Sequence, residues 1–518
     1  MSLHGAILRR CLLRPMGVCV IDDQRTWTGA RLVLASLMIA DRIRAAGASG
    51  AVAVALPTSG LFPAAALAAW MTGRAVVPIN YMLGRQEVRF ILDDSGADTL
   101  ITVGPMLEHM GHRPAVRRII ELDKLDRRRV PEVAWPEPAS DDDTAALMYT
   151  SGTSGRPKGV IMTHGNLLSN VRQACLHIRF DSHHRLLGCI PQFHSFGLTV
   201  LTLLPLIRHA RVVYTARFVP AKIVRLFRQH RPTIFVGVPS MFGGLLHVKE
   251  AAWEDFASTR YMVSGGEPLP DMIADRFRER FGVAIAEGFG MTECGPVTNW
   301  CRPSEHRPRS VGPALPMVRV RVVDPATERA LPPGREGEVR FAGPNVTRGY
   351  HNRPEENARL FDSAGFLRSG DIGRIDAQGH LSITGRLKEM LIIAGENVFP
   401  REIEDALCRH PSVKDAGVIG VADPLRGESP VGFVELHEGA AFDADALRVH
   451  CKGLIAAFKV PSQIRRVDAL PRSPTGKVLR RALRGMLAEP GAGAAAVSAA
   501  EPERPGVSAA AQPPKALR

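Results

Sequence analysis

The stretch Tyr149-Thr150-Ser151-Gly152-Thr153-Ser154-Gly155-Arg156-Pro157-Lys158-Gly159-Val160 packs hydroxyls, glycines and one lysine between two apolar segments. Ala145-Ala146-Leu147-Met148-Tyr149 ahead of it reads as a short buried strand, and Val160-Ile161-Met162 behind it resumes the apolar pattern. The polar part is therefore expected to be a strand-to-strand turn. Glycines let backbone amides turn toward an anion. Thr150, Ser151, Thr153 and Ser154 supply more hydroxyl donors than a plain turn needs, and Lys158 adds a mobile point charge suited to phosphate. A flexible Ser/Gly linker would have no use for flanking buried strands, so the stretch reads as a phosphate loop. It is not a Walker A loop, because Pro157 stands where that pattern needs its second glycine.

Upstream, the chain alternates helical and strand-like segments from Trp27 onward. Helical spacing over Leu32 to Ala46, Pro63 to Thr72 and Gln86 to Ser95 is interleaved with buried strands at Ala51 to Leu56, Ala75 to Ile79 and Thr99 to Val103. This rhythm predicts an α/β fold with a mostly parallel sheet. The charged, proline-rich region from Arg113 to Asp143 reads as a surface excursion. Downstream, Pro191-Gln192-Phe193-His194-Ser195-Phe196-Gly197 follows a strand over Leu186 to Ile190. A lone histidine is usually a core or surface residue, but ligands gather at strand ends in open α/β sheets, which singles out His194. A helix over Pro220 to Gln229, a strand over Ile234 to Pro239 and a helix from Ser240 to His247 follow. Two glycine-rich strand ends then come close together, Val263-Ser264-Gly265-Gly266-Glu267-Pro268 and Glu287-Gly288-Phe289-Gly290-Met291-Thr292-Glu293. Bare backbone of this kind admits a flat base. From Val311 to Gly349 short alternating strands suggest a small β-rich subdomain, which ends in Ser369-Gly370-Asp371.

With 518 residues the chain is too long for one ordinary core, and 45% apolar with 23% charged residues is the composition of a soluble globular enzyme. Apolar runs such as Leu198 to Ile207 are well short of the roughly 20 residues of a spanning helix. At the N-terminus Arg9 and Arg10 precede Cys11-Leu12-Leu13, but Arg14 and Pro15 cut the run before a signal segment can form. A cytoplasmic location is expected. Eight cysteines without a C-x-x-C pair suggest reduced, mostly buried thiols rather than zinc or disulfides. The net charge of +14 is spread over many arginines with no aromatic-studded basic module, so a specific nucleic-acid role is not expected. The surplus charge suits anionic small ligands. Beyond about Glu489 the chain shifts to Ala, Pro, Gly and Ser and should be disordered.

The loop at Tyr149 to Val160 resembles the phosphate loop of the adenylate-forming superfamily: acyl-CoA synthetases, adenylation domains of peptide synthetases, and luciferases. Pro191 to Gly197 resembles the family's P-x-x-H-x-x-G segment, Glu287 to Glu293 its G-Y-G-M-T-E motif with Phe289 for tyrosine, and Ser369-Gly370-Asp371 its T-G-D motif. Gly385-Arg386-Leu387-Lys388 through Gly395-Glu396 to Glu404 resembles the hinge motif, and Leu470 to Val478 the loop carrying a catalytic lysine. The resemblance implies a large N-terminal domain of α/β sheets with a β-rich subdomain over residues 1–387, a small mobile α+β lid over 388–487, and a tail over 488–518.

It further implies an ATP-dependent carboxylate ligase that forms an acyl-AMP and then an acyl thioester, with ATP, Mg²⁺ and coenzyme A. An acyl carrier protein as acceptor and a non-catalytic nucleotide-binding homologue are the alternatives. Carried over by position, Thr150, Ser151, Gly152, Thr153, Ser154, Gly155 and Lys158 would hold phosphates. Gly266, Glu267 and Phe289 would flank adenine. Thr292 would contact the α-phosphate, Glu293 would hold Mg²⁺, and Asp371 and Arg386 would serve the ribose. His194 would lie beside the acyl group, Lys388 would be the hinge, Gly395 and Glu396 would face the pantetheine tunnel, and Lys477 would be the catalytic lysine. Amino-acid-activating relatives carry Phe-Asp where this chain has Phe193-His194, so no carboxylate meets an ammonium and a plain carboxylic acid is expected; in the family the elements over Ile234 to His247 line the acyl pocket, and their apolar character here implies a fatty or aryl acid.

Overall fold

Val52–Val54, Val76–Pro78 and Thr99–Thr102 are buried at every position, as parallel strands covered on both faces require. In this computed structural model, which describes residues 2–126, 130–150, 157–393, 396–424, 426–472 and 478–487, they lie in a six-stranded sheet. Its spatial order is Arg118–Glu121, Thr99–Thr102, Val52–Val54, Val76–Pro78, Thr144–Thr150 and Lys158–Thr163. All neighbours are parallel except the last pair, which forms an antiparallel hairpin with Thr150 opposite Lys158. The described strands on either side of the hydroxyl and glycine run are thus antiparallel partners.

A second sheet of eight strands runs in the order Val297–Trp300, Ala286–Gly290, Tyr261–Ser264, Ile234–Gly237, Arg185–Gly188, Arg211–Tyr214, Val18–Ile21 and Thr26–Thr28. It is parallel except at its two ends. Helix Leu61–Met71 is apolar on all sides, and ten of its eleven residues are buried, so it must be covered all round. Trp70 Nε1 donates to Ala145 O at 2.8 Å, fixing this helix to the first sheet. One apolar cluster unites residues of both sheets with Val339, Phe341 and Leu381 of the β-rich part. A second cluster, built on Phe227, Phe235, Phe242, Phe256, Phe277 and Phe281, lies around strand Ile234–Gly237 and its flanking helices. The apolar residues of this strand are thus largely ordinary core.

The expected helices and strands occur within a few residues of their read positions, with three differences. Helix Leu3–Leu13 and strand Val18–Ile21 precede Trp27, the point at which the alternation is legible. The helix buries Leu3, Ile7, Arg10 and Cys11, and a buried arginine in that stripe obscures its amphipathic pattern. Within the region read as an excursion, Arg118–Glu121 adds an edge strand to the first sheet; its charged ends and half-exposed faces mask it. The β-rich part extends past Gly349, as a five-stranded sheet ordered Gly312–Pro313, His380–Arg386, Leu367–Ile375, Gly337–Ala342 and Arg319–Val323.

The chain ends in a further sheet, Glu396–Val398, Leu391–Ile393, Gly427–Leu436 and Val413–Asp423, with Gln463–Val467 pairing Gly427–Leu436. It has apolar clusters of its own. All eight cysteines are free and seven are buried. Among the described residues no helix is long and apolar enough to cross a membrane. The tail over 488–518 lies outside the described residues.

Candidate functional site

The C-terminal ends of the parallel strands Arg185–Gly188, Tyr261–Ser264 and Ala286–Gly290 open onto one edge of the second sheet, and the glycine-rich turns leave from there. After Arg185–Gly188 the chain turns through Pro191 to Gly197 and enters a buried helical run. His194 caps its first turn, accepting from the Phe196 N–H through Nδ1 at 3.4 Å. Gly197 is obligatory here, because a Cβ would sit 2.1 Å from Pro191 O. A π turn over Thr199–Leu203 follows, and Thr202 Oγ1 donates back to Gly197 O at 2.9 Å. Gln192, almost fully buried, locks the turn from behind by donating to Thr202 Oγ1 and accepting from Ser59 N. Phe193 packs edge-on against Tyr81 with ring centroids 5.0 Å apart. No carboxylate belongs to this turn.

The turn meets the end of strand Ala286–Gly290 directly: Ser195 Oγ and Thr292 Oγ1 are 3.1 Å apart. Glu293, buried, is oriented by Tyr350, whose phenol donates to Oε1 at 2.8 Å. Burial, then the charge of Glu293, drives the Tyr350 pKa upward, so it stays a donor. Lys158 Nζ lies 5.4 Å over the Tyr350 ring and pairs with Glu356 Oε1 at 3.3 Å. Tyr350 owes its place to backbone pairing. Ile161 N donates to Gly349 O and His351 N to Gly159 O, so this segment runs beside the strand that carries Lys158. Asn357 clamps the Tyr350 backbone through both its N–H and its carbonyl.

Around the expected nucleoside, Gly266 takes a left-handed conformation with φ of 83°, and Glu267 beside it is half-buried. Phe289, half-buried, stacks on Phe341 at 5.8 Å with a 24° tilt. Asp371 is buried and faces Arg386 across the paired strands Leu367–Ile375 and His380–Arg386, with Arg386 Nε 2.9 Å from Oδ1. The turn ahead of Asp371 rests on Glu338, which accepts from Gly370 N at 3.2 Å and is held by Arg340, only 1% exposed. Arg340 also binds Asp362 and Glu328.

The structure thus joins Lys158, Glu293, Thr292 and the His194 turn, and separately pairs Asp371 with Arg386. Ser151, Gly152, Thr153, Ser154 and Gly155 lie outside the described residues, as do Gly395 and Lys477. Thr150 lies at the end of its strand opposite Lys158. Lys388 sits in the turn Leu387–Glu389, with Arg386, Asp371, Glu389 and Arg480 the charges around it. Glu396 is exposed on strand Glu396–Val398. Tyr350, Glu356 and Ser195 escape a reading of the sequence. The signal for Tyr350 was the glycine before it and the polar turn after it, Gly349-Tyr350-His351-Asn352, which reads as a loop until it is paired with the Lys158 strand. Among the described residues no cluster of three or more metal-ligating side chains occurs. A Mg²⁺ ion here would take Glu293 with phosphate oxygens, the donor set this ion favours.

Residues 9–351 match the family described as AMP-binding enzyme, and residues 402–477 match the AMP-binding enzyme C-terminal domain. Feruloyl-CoA synthase from an Amycolatopsis species is 33% identical over 486 residues, spanning 92% of this chain and 97% of the relative. Crystal structures of MatB from Rhodopseudomonas palustris, 29% identical, cover 94% of this chain and 99% of MatB, with a TM-score of 0.85 for the ATP-bound form and 0.76 for the apo form. O-succinylbenzoate coenzyme A synthetase (MenE) from Bacillus subtilis, in complex with ATP and a magnesium ion, is 30% identical with a TM-score of 0.83, covering 92% and 99% of the two chains. The chain belongs to the AMP-binding enzyme family and is an AMP-forming acid–thiol ligase, which joins a carboxylic acid to ATP as an acyl-AMP and then to a thiol as a thioester.

Proposed function

We propose that the substrate is a plain carboxylic acid with an apolar, aliphatic or aryl tail, that the thiol is coenzyme A, and that the reaction runs in the cytoplasm. The observation that carries this is the contact of Ser195 with Thr292, which sets the His194 turn against the residues that would hold the α-phosphate. That turn offers His194 and apolar Phe193 but no carboxylate to meet an α-ammonium. The aryl acid in the name of the Amycolatopsis relative and eight free cysteines, as expected of a reducing compartment, support the reading.

In the first step a carboxylate oxygen attacks the α-phosphorus, forming a C–O–P link while the bond to pyrophosphate breaks. Lys158 would leave Glu356 for the phosphates, with Thr150, Ser151, Gly152, Thr153, Ser154 and Gly155 supplying loop donors. Thr292 would contact the α-phosphate and Lys477 would bridge it to the incoming carboxylate, offsetting the repulsion between like charges. Mg²⁺ would supply further charge neutralisation at Glu293. Phe289, Gly266 and Glu267 would bracket adenine, while Asp371 accepts from the ribose hydroxyls and Arg386 keeps it oriented. In the second step the thiol attacks the acyl carbonyl and AMP leaves with its electron pair. We assign residues 1–387 to an N-terminal domain and 388–487 to a lid hinged at Lys388, with Gly395 and Glu396 reaching the thiol path in a second orientation. The separate apolar clusters beyond residue 390 support that division, and the better match to ATP-bound than to apo MatB supports a nucleotide-ready arrangement.

Pyrophosphate release measured across aliphatic, aryl and α-amino acids tests the proposal. Release with the first two and none with amino acids is expected. Efficient release with any α-amino acid would overturn the substrate class, and nucleotide binding without release for any acid would mark a non-catalytic homologue.

A further inference from the structure

Helix Leu3–Leu13 buries Leu3, Ala6, Ile7, Arg10 and Cys11 on one side, yet its last turn carries Leu12 and Leu13 outward, 70% and 64% exposed. Met16, in the turn that follows, is 78% exposed. Three large apolar side chains at one helix end are unusual on a water-facing surface. Fraying does not account for them. Ala30 N donates to Pro15 O at 2.8 Å and Gly29 N to Gly17 O at 3.1 Å, so the turn is tied to the next helix. Gly29 packs so closely that a Cβ there would lie 2.8 Å from both Arg14 O and Cys11 O. Arg10 Nη2 donates to Ala210 O, tying the same helix to the loop at Arg208. The fold therefore holds these side chains in water.

Their surroundings are cationic. Arg9 precedes Leu12 and Leu13 by three and four residues, which puts it on their face of the helix, and Arg14 follows them; both are exposed, as is Arg208. His209, next to this tip, is held below its ordinary pKa by burial and then by the charges of Arg10, Arg14, Arg208 and Arg9. A second copy of the chain meeting this surface about a two-fold axis would bring the same arginines together, so self-association is opposed by charge. Apolar tips flanked by arginines instead match the interface of a bilayer, where apolar side chains enter the acyl boundary and guanidinium groups stay among phosphates.

We propose that Leu12, Leu13 and Met16, flanked by Arg9, Arg14 and Arg208, form a docking surface for an anionic lipid bilayer. The contact is peripheral and reversible, since three side chains are far from an anchor. It stands independently of the acyl substrate, because it uses no residue of the nucleotide or acyl site.

Co-sedimentation of the full chain with phosphatidylcholine vesicles, with and without phosphatidylglycerol, tests this. Binding to the anionic vesicles only, weakened by added salt, is expected. Leu12→Ser with Leu13→Ser keeps every charge and should abolish most of that binding, and Arg14→Ala should weaken it about fivefold. Both variants should retain the wild-type ligase rate with a water-soluble acid, which certifies their fold. Binding that survives the double serine change would reduce the effect to net charge and overturn the proposal. So would absence of binding to anionic vesicles, or a concentration-dependent dimer that the serine changes abolish without any vesicle binding.

Discussion

The phenol of Tyr350 donates to Glu293 Oε1 at 2.8 Å while its ring lies 5.4 Å from Lys158 Nζ, so one tyrosine touches both groups expected to handle phosphate charge. Tyr350→Phe keeps the ring and removes only the bond to Glu293. A hydrogen bond to a charged acceptor is worth about 1.5–3 kcal/mol, so the variant should need roughly tenfold more Mg²⁺ or lose a comparable factor in kcat/KM for ATP. Steady-state kinetics at varied Mg²⁺ checks this. An unchanged requirement would mean that Glu293 is oriented without the phenol.

Gly197→Ala is expected to damage the acyl side of the site. Its Cβ would meet Pro191 O at 2.1 Å and Gln192 Cα at 2.9 Å, both parts of the turn that aims His194. Displacing a reacting group by about 1 Å can cost around a hundredfold. Turnover should fall by that order while ATP affinity changes little. Equal losses in both would place the turn nearer the nucleotide.

Lys477→Ala separates the two half-reactions. Losing a charge-stabilising contact of this kind commonly costs about a hundredfold to a thousandfold in rate. Acyl-AMP formation should fall accordingly, whereas conversion of supplied acyl-AMP to the thioester, which has no like-charge approach to overcome, should persist. A bulky residue at Gly395, or Lys388→Pro, should do the reverse. Similar losses in both steps for Lys477→Ala would exclude two working orientations of the lid.

The ion cluster beneath Asp371 predicts an acid-sensitive fold. Burial alone would raise the pKa of Asp362, but the Phe366 N–H, Arg321 and Arg340 outweigh it and hold the carboxyl at about 2, below its ordinary 3.8. A depressed carboxylate contributes stability that is complete above the unfolded value and lost as pH falls through the folded one. Stability should therefore drop between about pH 4 and pH 2, and Asp362→Asn should flatten the profile there in denaturant titrations. Arg340→Met would take the paired cation from buried Glu338 and one of two from buried Asp362, and should cost about 3–5 kcal/mol at neutral pH. A smaller loss would mean that water or Arg321 compensates.

Local chemistry determined much of this protein from the sequence alone. The hydroxyl and glycine run at Thr150 to Gly155 between apolar flanks pointed to a connection between two strands, and strands such as Val52–Val54 were legible because a strand buried on both faces must be apolar throughout. The glycines at 265, 266, 288 and 290 marked the strand ends from which the turns of the site leave. Tertiary structure alone decided which of these turns meet. Ser195 and Thr292 are 97 residues apart, and Tyr350 reaches Glu293 only because residues 349–351 pair with the strand of Lys158. Neither partner carries a local pattern that names the other, since hydrogen bonds across such separations depend on sheet order rather than on periodicity. The same holds for the first helix. The sequence displayed Arg9, Leu12, Leu13 and Arg14 as an interrupted apolar run, and the packing of Gly29 against Arg14 and Cys11 decided that those leucines face outward.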